Sequence, residues 1–379
     1  MFSKYRQILD NLSLKSSKRI LPDSVPCSML NLSSNDYLGL TKNDNLLNTF
    51  YNQVPKIDRK FTSSSSRLLT GNSLPYKRLE TLMAKAFERE SCLVFNSGYH
   101  ANIGILPALT SKNDLIIADK LIHASLIDGI RLSQAEFKRF SHLDYEHLEQ
   151  LLIAHRTDFD HVFIVCESIY SMDGDCSDIQ KLVSLKKKYN AFLYVDEAHA
   201  IGVRGEKGLG LCEEQNCIAD IDFIVGTFGK ALASYGAYII CDDIIKQFLI
   251  NTSRSMIFTT ALPPINVAWT CFIFEQLVDF DALRQNLHHI SKVFAESLNS
   301  ESTTHIIPYI LGENDNAVQC SQYMQDKGFY VLPIRHPTVP VGTARLRFSL
   351  TADIEISQIS QITETLKSFV PKYESNYNK

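Results

Sequence analysis

Short, almost wholly apolar segments alternate with helix-like segments through the middle of the chain. Their length and their aromatic or β-branched residues predict buried strands, because such side chains fit a pleated sheet that is covered on both faces. The predicted strands are 92–95, 115–118, 162–166, 192–195, 223–225 and 237–241. Helices are predicted between them, at 102–109, at 123–132 and where Ile179, Leu182 and Val183 fall on one face. Strands joined by helical crossovers predict an α/β fold with a mostly parallel sheet.

The pattern changes in the last third of the chain. After Pro263-Pro264 a long helix is predicted, with Leu283, Leu287 and Ile290 on one face. Short strands follow around 304–310, 330–334 and 344–350, and then a last amphipathic helix. We therefore predict three parts, an N-terminal segment at 1–45, a large domain at 46–275 and a smaller α+β domain at 276–379. The polar tail at 374–379 is expected to fray.

Composition narrows the class of protein. The 379 residues are 45% hydrophobic and 21% charged, with a net charge of −4, which is typical of a globular protein with no electrostatic preference for nucleic acid or an anionic membrane. No stretch approaches the roughly 18 apolar residues of a membrane span, and the N-terminus has no apolar secretory core. The nine cysteines form no C-x-x-C pair. We expect a reduced, cytoplasmic protein without a metal site.

Lys230 is the first candidate for chemistry. It stands directly after a predicted strand and the segment Gly226-Thr227-Phe228-Gly229. Glycines let backbone and ligand approach closely, so a lysine in this position is placed to form an imine with a carbonyl cofactor. Taken alone, the segment fits a solvated loop lysine equally well.

Asp196 and His199 favour the chemical interpretation. Asp196 ends the predicted strand 192–195, where a carboxylate is costly unless a cation meets it, and His199 follows three residues later. The protonated pyridine nitrogen of pyridoxal 5′-phosphate (PLP) is such a cation. A helix N-cap is the simpler role for Asp196, but it explains neither the histidine nor the lysine. The two strand ends look like the PLP site of an aspartate aminotransferase-like, fold type I protein.

Several further segments extend this resemblance over nearly the whole chain. They are NDYLGL (35–40), SRLLTGN (66–72), FNSGYHAN (95–102), ESIYSMDGD (167–175), VDEAHAIGVRGEKGLG (195–210), GTFGKALAS (226–234), FTTALPP (258–264) and PTVPVGTARLRFSLTA (337–352). In this order they resemble the α-oxoamine synthases, PLP enzymes that join an amino acid to an acyl thioester with loss of CO2. The resemblance implies the aminotransferase-like fold and a homodimer with shared active sites.

The resemblance also implies a role for each site residue. Lys230 would bind the cofactor covalently and act as the base at the substrate's α-carbon, and Asp196 would keep the pyridine nitrogen protonated. The remaining cofactor contacts it implies are His199 and Ser171 at the phenolic oxygen, His123 on the ring face, Gly98, Tyr99 and Thr227 at the phosphate, and Thr260 reaching the phosphate from the second subunit. Taken singly, His123 would more often be only a helix cap, and Ser171 and Thr260 are common loop residues.

Arg347 and Asn35 resemble the pair that holds the amino acid's carboxylate, which an arginine fork matches well. Arg345 lies two residues before Arg347 on the same predicted strand, so both share a face and alternation cannot choose between them. The choice of Arg347 comes from the resemblance alone.

The length, SRLLTGN and FTTALPP are most similar to the branch of the family that condenses L-alanine with a pimeloyl thioester, carried by CoA or acyl carrier protein, in biotin biosynthesis. Sister enzymes that use glycine or serine remain open, as does a catalytically silent homologue acting as an interaction subunit. One departure bears on substrate choice, because Thr62–Ser66 replaces the family's usual glycine-rich stretch. A flexible surface loop is the simpler interpretation of those serines. The glycines at 202–210 lack the G-x-G-x-x-G order, so a nucleotide fingerprint is not supported.

Overall fold

The structure is a computed structural model that describes residues 2–22 and 24–371. The helices are α1 (Ser3–Leu14), α2 (Asp44–Gln53), α3 (Leu74–Ala86), α4 (Gly98–Leu109), α5 (Ala124–Leu132), α6 (Tyr145–His155), α7 (Ile179–Tyr189), α8 (Leu211–Glu214), α9 (Asp243–Thr252), α10 (Arg254–Ile257), α11 (Pro264–Glu275), α12 (Asp281–Ser297), α13 (Asn314–Asp326) and α14 (Ile356–Lys367). The strands are β1 (Leu30–Asn31), β2 (Ser91–Phe95), β3 (Leu115–Asp119), β4 (Glu136–Phe140), β5 (Val162–Glu167), β6 (Phe192–Asp196), β7 (Phe223–Thr227), β8 (Ala237–Cys241), β9 (Ile306–Gly312), β10 (Phe329–Tyr330), β11 (Pro333–Ile334) and β12 (Ala344–Ser349). The polar tail predicted at 374–379 lies outside the described residues.

The chain forms two compact units. The larger unit comprises Leu38–Ser171 and Cys176–Arg284, and the smaller unit comprises Met1–Tyr37, Met172–Asp175 and Gln285–Lys379 in the parts that the structure describes. The division predicted from the sequence, at 1–45, 46–275 and 276–379, stays a prediction.

The larger unit is built on a seven-stranded sheet in the order β2-β8-β7-β6-β5-β3-β4. Strand β8 runs antiparallel to both of its neighbours, and the remaining pairs are parallel. The mostly parallel sheet predicted from the apolar segments is therefore confirmed. Ligands of such sheets gather at the carboxyl ends of the parallel strands, and at this edge Asp196 ends β6 and Thr227 ends β7.

Burial explains why these segments form strands. Every residue of β2, β3 and β5 is buried, as expected of strands that are covered by helices on both faces. Helix α7 shows the matching helical signals, since Asp178 caps its N-terminus by accepting a hydrogen bond from the Lys181 amide and three lysines occupy its last turn. Asn190, in the left-handed conformation, ends the helix and turns the chain into β6.

The smaller unit contains the antiparallel sheet β11-β12-β9 and the parallel pair β1-β10. All six residues of β12, which carries Arg345 and Arg347, are buried. The predicted helices at both ends of this region appear as α12 and α14. The predicted strand at 330–334 is in fact two short strands, β10 and β11, in different sheets.

Two other elements differ from the sequence prediction. Strand β4 was not predicted, because its sequence EFKRF carries charges and lies at the sheet edge with little burial. The polar loop around the serine run contains a π-helical turn at Arg67–Gly71. Among the described residues, no helix is both long and apolar enough to cross a membrane.

Candidate active site

Three polar side chains end neighbouring strands of the large sheet. Glu167 ends β5, Asp196 ends β6 and Thr227 ends β7, and Glu167 stands directly opposite Asp196 in the parallel register. Both carboxylates are almost completely buried. Because buried carboxylates need partners, the groups around this edge determine what the site can bind.

Asp196 is held by neutral donors. Its Oδ2 accepts a hydrogen bond of 2.9 Å from the Asn102 side-chain amide, and its Oδ1 accepts one of 2.9 Å from the Ala198 backbone. The Ala198 contact is the local turn that a short acidic side chain favours, so part of the simpler capping role is realised. The carboxylate is thereby fixed in one orientation.

Lys230 lies beside His199. Its Nζ is 2.8 Å from His199 Nε2, and the histidine is buried whereas the lysine is half-buried. The two residues come from the segments that follow β7 and β6, so the pairing of these strands brings together two side chains that lie 31 residues apart in the chain. The solvated-lysine interpretation of Lys230 does not describe this arrangement.

His123 is the N-cap of α5, and its Nδ1 accepts from the Ser125 backbone N–H at 3.2 Å. Desolvation lowers the pKa of His123, Lys230 lowers it further, and Asp196 and Asp128 oppose the shift. The lowered pKa keeps the imidazole mainly neutral near pH 7, although the residue as a whole is partly exposed to solvent. The helix-cap role considered from the sequence is therefore present, and it engages the ring through Nδ1.

The N-terminus of α4 lies next to the end of β7. A Cβ built on Gly98 would be 3.7 Å from the Cβ of Thr227, and Ser97 caps the helix by accepting from the His100 amide. Helix N-termini attract anions through their unpaired N–H groups. Thr227 donates its hydroxyl to the Gly236 carbonyl at 2.9 Å, while Tyr99 donates to Asp128 at 2.5 Å.

The two loop residues are placed differently. Ser171 is nearly buried, shortly after β5, whereas Thr260 is exposed. The Asn96 side-chain amide donates to the Thr260 carbonyl at 2.7 Å and to the Thr259 hydroxyl at 3.1 Å. This contact holds the FTTALPP segment close to the start of α4.

Arg345 and Arg347 are distinguished by their partners in the smaller unit. Arg345 donates to the Asp173 carboxylate at 2.6 Å, so its charge is engaged in an internal ion pair. Arg347 donates to Asn35 Oδ1 at 3.2 Å and to Ser349 Oγ at 2.6 Å. The structure thus joins the predicted pair Arg347 and Asn35, which the strand pattern could not do.

The serine run is tied to the FTTALPP segment. Ser63 Oγ donates to the Leu262 carbonyl at 2.7 Å, and the Ser65 carbonyl accepts from the Ala261 amide at 2.9 Å. A Cβ on Gly71 would come within 2.5 Å of the same Ser65 carbonyl, so the loop packs closely. The departure from the family's glycine-rich pattern is therefore accommodated by defined contacts.

Sequence reasoning missed three residues at this edge: Asn102, Ser125 and Glu167. Glu167 accepts a short hydrogen bond from the His123 backbone N–H, and Asn102 contacts both Asp196 and Ser125. Glu167 could have been predicted from the sequence, because it ends an apolar strand in the same way as Asp196. Asn102 and Ser125 lie inside helical segments and have no comparable signal.

Glu167 leads to a prediction about stability. Burial raises its pKa well above the usual range, and Asp196 reinforces the shift. As the pH rises above about 4.5, the unfolded chain releases this proton while the folded chain keeps it, so the folded state loses stability. Glu167→Gln keeps an acceptor for His123 without this linkage. We therefore expect Glu167→Gln to gain stability relative to the natural protein as the pH rises from 5 to 8, by at most on the order of 1 kcal/mol for each pH unit.

Thermal unfolding at pH 5 and pH 8 measures this difference. Glu206→Gln, which removes an exposed carboxylate, is the matched control. A melting-temperature difference between Glu167→Gln and the natural protein that is equal at both pH values would contradict the prediction.

Comparisons with known proteins identify the family. The model of the aminotransferase class I and II family matches residues 28–366. A protein from Glaesserella parasuis serovar 5 (strain SH0165), named provisionally as an 8-amino-7-oxononanoate synthase, is 55% identical over 380 residues, which cover 96% of this chain and 100% of the relative.

Solved structures give the same result. Serine palmitoyltransferase from S. paucimobilis, with a bound PLP–myriocin aldimine, matches with a TM-score of 0.88 and 26% identity, covering 97% of this chain and 96% of that one. An 8-amino-7-oxononanoate synthase from Francisella tularensis matches with a TM-score of 0.77 and 29% identity, covering 90% of this chain and 97% of that one. The chain belongs to the aminotransferase class I and II family of PLP-dependent enzymes, among its α-oxoamine synthases.

Proposed function

We propose that this protein is an 8-amino-7-oxononanoate synthase of biotin biosynthesis. It would condense L-alanine with a pimeloyl thioester and release CO2 and the free thiol. The observation that carries the proposal is the 55% identity to a relative of that name over nearly the full length of both chains. The Lys230, His199 and Asp196 arrangement supports the PLP chemistry that this reaction needs.

The residues at the strand ends fit PLP. A buried carboxylate held by neutral donors suits a protonated pyridine nitrogen, as Asp196 would provide. The primary amine of Lys230 suits the aldehyde, and the imidazole of His123, a partly exposed residue, suits stacking on the pyridine. The α4 N-terminus at Gly98, adjacent to Thr227, suits the phosphate. We propose that Tyr99, His199, Ser171 and Thr260 complete the cofactor contacts.

When bound, PLP supplies a ring that withdraws electrons from the α-carbon of the amino acid. Lys230 Nζ would take the α-proton and later return a proton to the same carbon. His199 Nε2, 2.8 Å from this nitrogen, would orient the amine. Asp196, fixed by two hydrogen bonds, would hold its own charge toward the pyridine nitrogen.

Substrate recognition would rest on Arg347 and Asn35. The guanidinium is held in place by Asn35 and Ser349, and a fixed guanidinium matches a carboxylate in a fork geometry. In the overall reaction, the α-carbon of alanine forms a bond to the thioester carbonyl carbon. The carbon–sulfur bond breaks and the thiol leaves, and the bond to the alanine carboxylate breaks to give CO2. The thiol carrier would be CoA or acyl carrier protein.

We further propose that the protein acts in the cytoplasm as a homodimer. In this arrangement Thr260 would contribute to the phosphate site of the second subunit. Its exposure in this chain is compatible with such a role.

A sister activity is the second candidate. The similarity to serine palmitoyltransferase, with a TM-score of 0.88, supports a synthase that takes serine and another acyl thioester. Glycine-using synthases, such as 2-amino-3-oxobutyrate CoA ligase and 5-aminolevulinate synthase, belong to the same group of alternatives.

The test is a substrate matrix with the PLP-loaded protein. L-Alanine, glycine and L-serine are each paired with pimeloyl-CoA, pimeloyl-acyl carrier protein, acetyl-CoA, succinyl-CoA and palmitoyl-CoA. We expect CO2 and the mass of 8-amino-7-oxononanoate only with alanine and a pimeloyl thioester. Turnover with another pair would replace the named reaction and keep the family. PLP binding without turnover on any pair would favour a silent homologue.

A further inference from the structure

A chain of buried polar side chains links Asp196 to His123. Asn102 is 1% exposed and Ser125 is 1% exposed, and both lie inside the larger unit beneath the candidate active site. The Asn102 amide nitrogen donates to Asp196 Oδ2 at 2.9 Å and to Ser125 Oγ at 2.9 Å. Tyr194, also fully buried, donates its hydroxyl to Asn102 Oδ1 at 2.6 Å.

The partners of Asn102 leave its amide one orientation. A carboxylate only accepts hydrogen bonds, so the side of Asn102 that faces Asp196 has to be the NH2 group. Its carbonyl oxygen then faces Tyr194, and burial raises the pKa of the Tyr194 phenol well above its usual range, so the phenol stays a donor. Flipping the amide would set its carbonyl oxygen against the Asp196 carboxylate, so that two acceptors face each other and the buried carboxylate loses its donor.

This orientation determines which way the hydroxyl hydrogen of Ser125 points. Its hydroxyl oxygen accepts from Asn102, so its single hydrogen is available to His123 Nδ1, 2.7 Å away. The Ser125 backbone N–H points to the same nitrogen at 3.2 Å. Nδ1 is therefore an acceptor, and in the neutral ring the proton resides on Nε2.

We propose that Asn102 is a positioning residue that fixes the Asp196 carboxylate and, through Ser125, the tautomer of His123. One amide would thus orient two of the side chains proposed to contact PLP, Asp196 at the end of β6 and His123 at the N-cap of α5. The inference rests on the proposed PLP site, but its first test needs no cofactor and no substrate.

A competing explanation is that the helix cap alone fixes His123. The Ser125 backbone N–H remains in any Ser125 variant. The effect of the helix cap can therefore be measured separately from that of the hydrogen bonds made by the Asn102 and Ser125 side chains. Ser125→Ala removes only the hydroxyl, and Asn102→Leu removes both amide donors at similar volume. Ser177→Ala is the matched control, because Ser177 is a buried serine at the same sheet edge that donates to the Glu167 carbonyl instead.

The first measurement is the tautomer of His123 in the cofactor-free protein. Nitrogen-15 labelling of histidine with long-range proton–nitrogen correlation reports which ring nitrogen carries the proton, and His123→Gln assigns the signal. We expect a proton on Nε2 alone in the natural protein and in Ser177→Ala. Ser125→Ala and Asn102→Leu should both show a population protonated on Nδ1. Circular dichroism and thermal unfolding establish that each variant is folded, and Ser125→Ala carries the test if Asn102→Leu does not fold.

Two results would overturn the proposal. One is a proton on Nδ1 in the natural protein, and the other is an unchanged tautomer in every folded variant of Ser125 or Asn102, since the cap would then suffice. As a second readout, the dissociation constant of PLP in Asn102→Leu should rise about tenfold or more, as expected for loss of a hydrogen bond to a charged group. An unchanged dissociation constant would refute the claim that Asn102 fixes the Asp196 carboxylate for PLP binding. A natural protein that does not bind PLP would instead refute the proposed function, whatever the tautomer.

Discussion

Lys230→Ala should abolish synthase turnover and the covalent attachment of PLP. In the proposed mechanism the side chain supplies both the amine that binds the cofactor's aldehyde and the base that moves the α-proton, and its Nζ lies 2.8 Å from His199 Nε2. Loss of general base catalysis alone costs roughly 10²–10⁴-fold in rate, so we expect a fall in kcat of at least about 10³-fold. The assay is CO2 release from L-alanine and pimeloyl-CoA.

Attachment is measured separately from turnover. Borohydride reduction of the PLP-loaded protein should add the mass of the pyridoxyl phosphate group to the peptide that carries Lys230, and this mass should be missing in the variant. Lys207→Ala is the matched control, because Lys207 is a surface lysine paired 3.5 Å from Glu88. Finding the added mass on another peptide of the natural protein would show that the nucleophile is wrongly assigned.

Arg347→Ala should raise the KM for L-alanine far more than Arg345→Ala does. Removing one partner of a buried, hydrogen-bonded charge pair costs about 2–5 kcal/mol, which corresponds to roughly 30-fold or more in KM. Arg345 instead forms an internal ion pair with Asp173 at 2.6 Å, so its removal should act mainly on folding. The two variants therefore distinguish an arginine that binds the substrate from one that stabilises the folded protein, although both lie on strand β12.

Steady-state kinetics and thermal unfolding of both variants make the comparison. We expect a lower melting temperature and a near-normal KM for Arg345→Ala, and the large rise in KM only for Arg347→Ala. Arg347→Lys keeps the charge without the fork and should recover part of the binding. A larger rise in KM for Arg345→Ala would assign the carboxylate to the other arginine.

The sequence predicted the central sheet well because its strands are buried on both faces and read as unbroken apolar runs. It failed at β4, where charges on an exposed edge strand hide the pattern. It also merged β10 and β11, because two short strands in different sheets follow one another within one apolar run. The local pattern of apolar and polar residues indicates whether a segment is buried, but it does not indicate which strand the segment pairs with.

The candidate site shows the same limit at the level of single residues. The sequence singled out Asp196 because it ends an apolar strand with a charge that burial disfavours, and Lys230 because it follows a strand and a segment flanked by two glycines. Asn102 was not singled out, since a polar residue inside a helix predicts nothing until its neighbours in space are known. The choice between Arg345 and Arg347 likewise required the position of Asp173, a residue from a distant part of the chain.

The register that sets Glu167 opposite Asp196 has a consequence for how the gene can change. Successive side chains along a strand point to opposite faces, so inserting or deleting one codon within β6 would turn the Asp196 carboxylate away from the site proposed for the cofactor's nitrogen. Loops between strands have no such alternation, so a change of one residue in their length does not turn a side chain to the other face of the sheet. Changes in length should therefore accumulate in the loops of related proteins, while the strand segments that carry the site keep a constant number of residues.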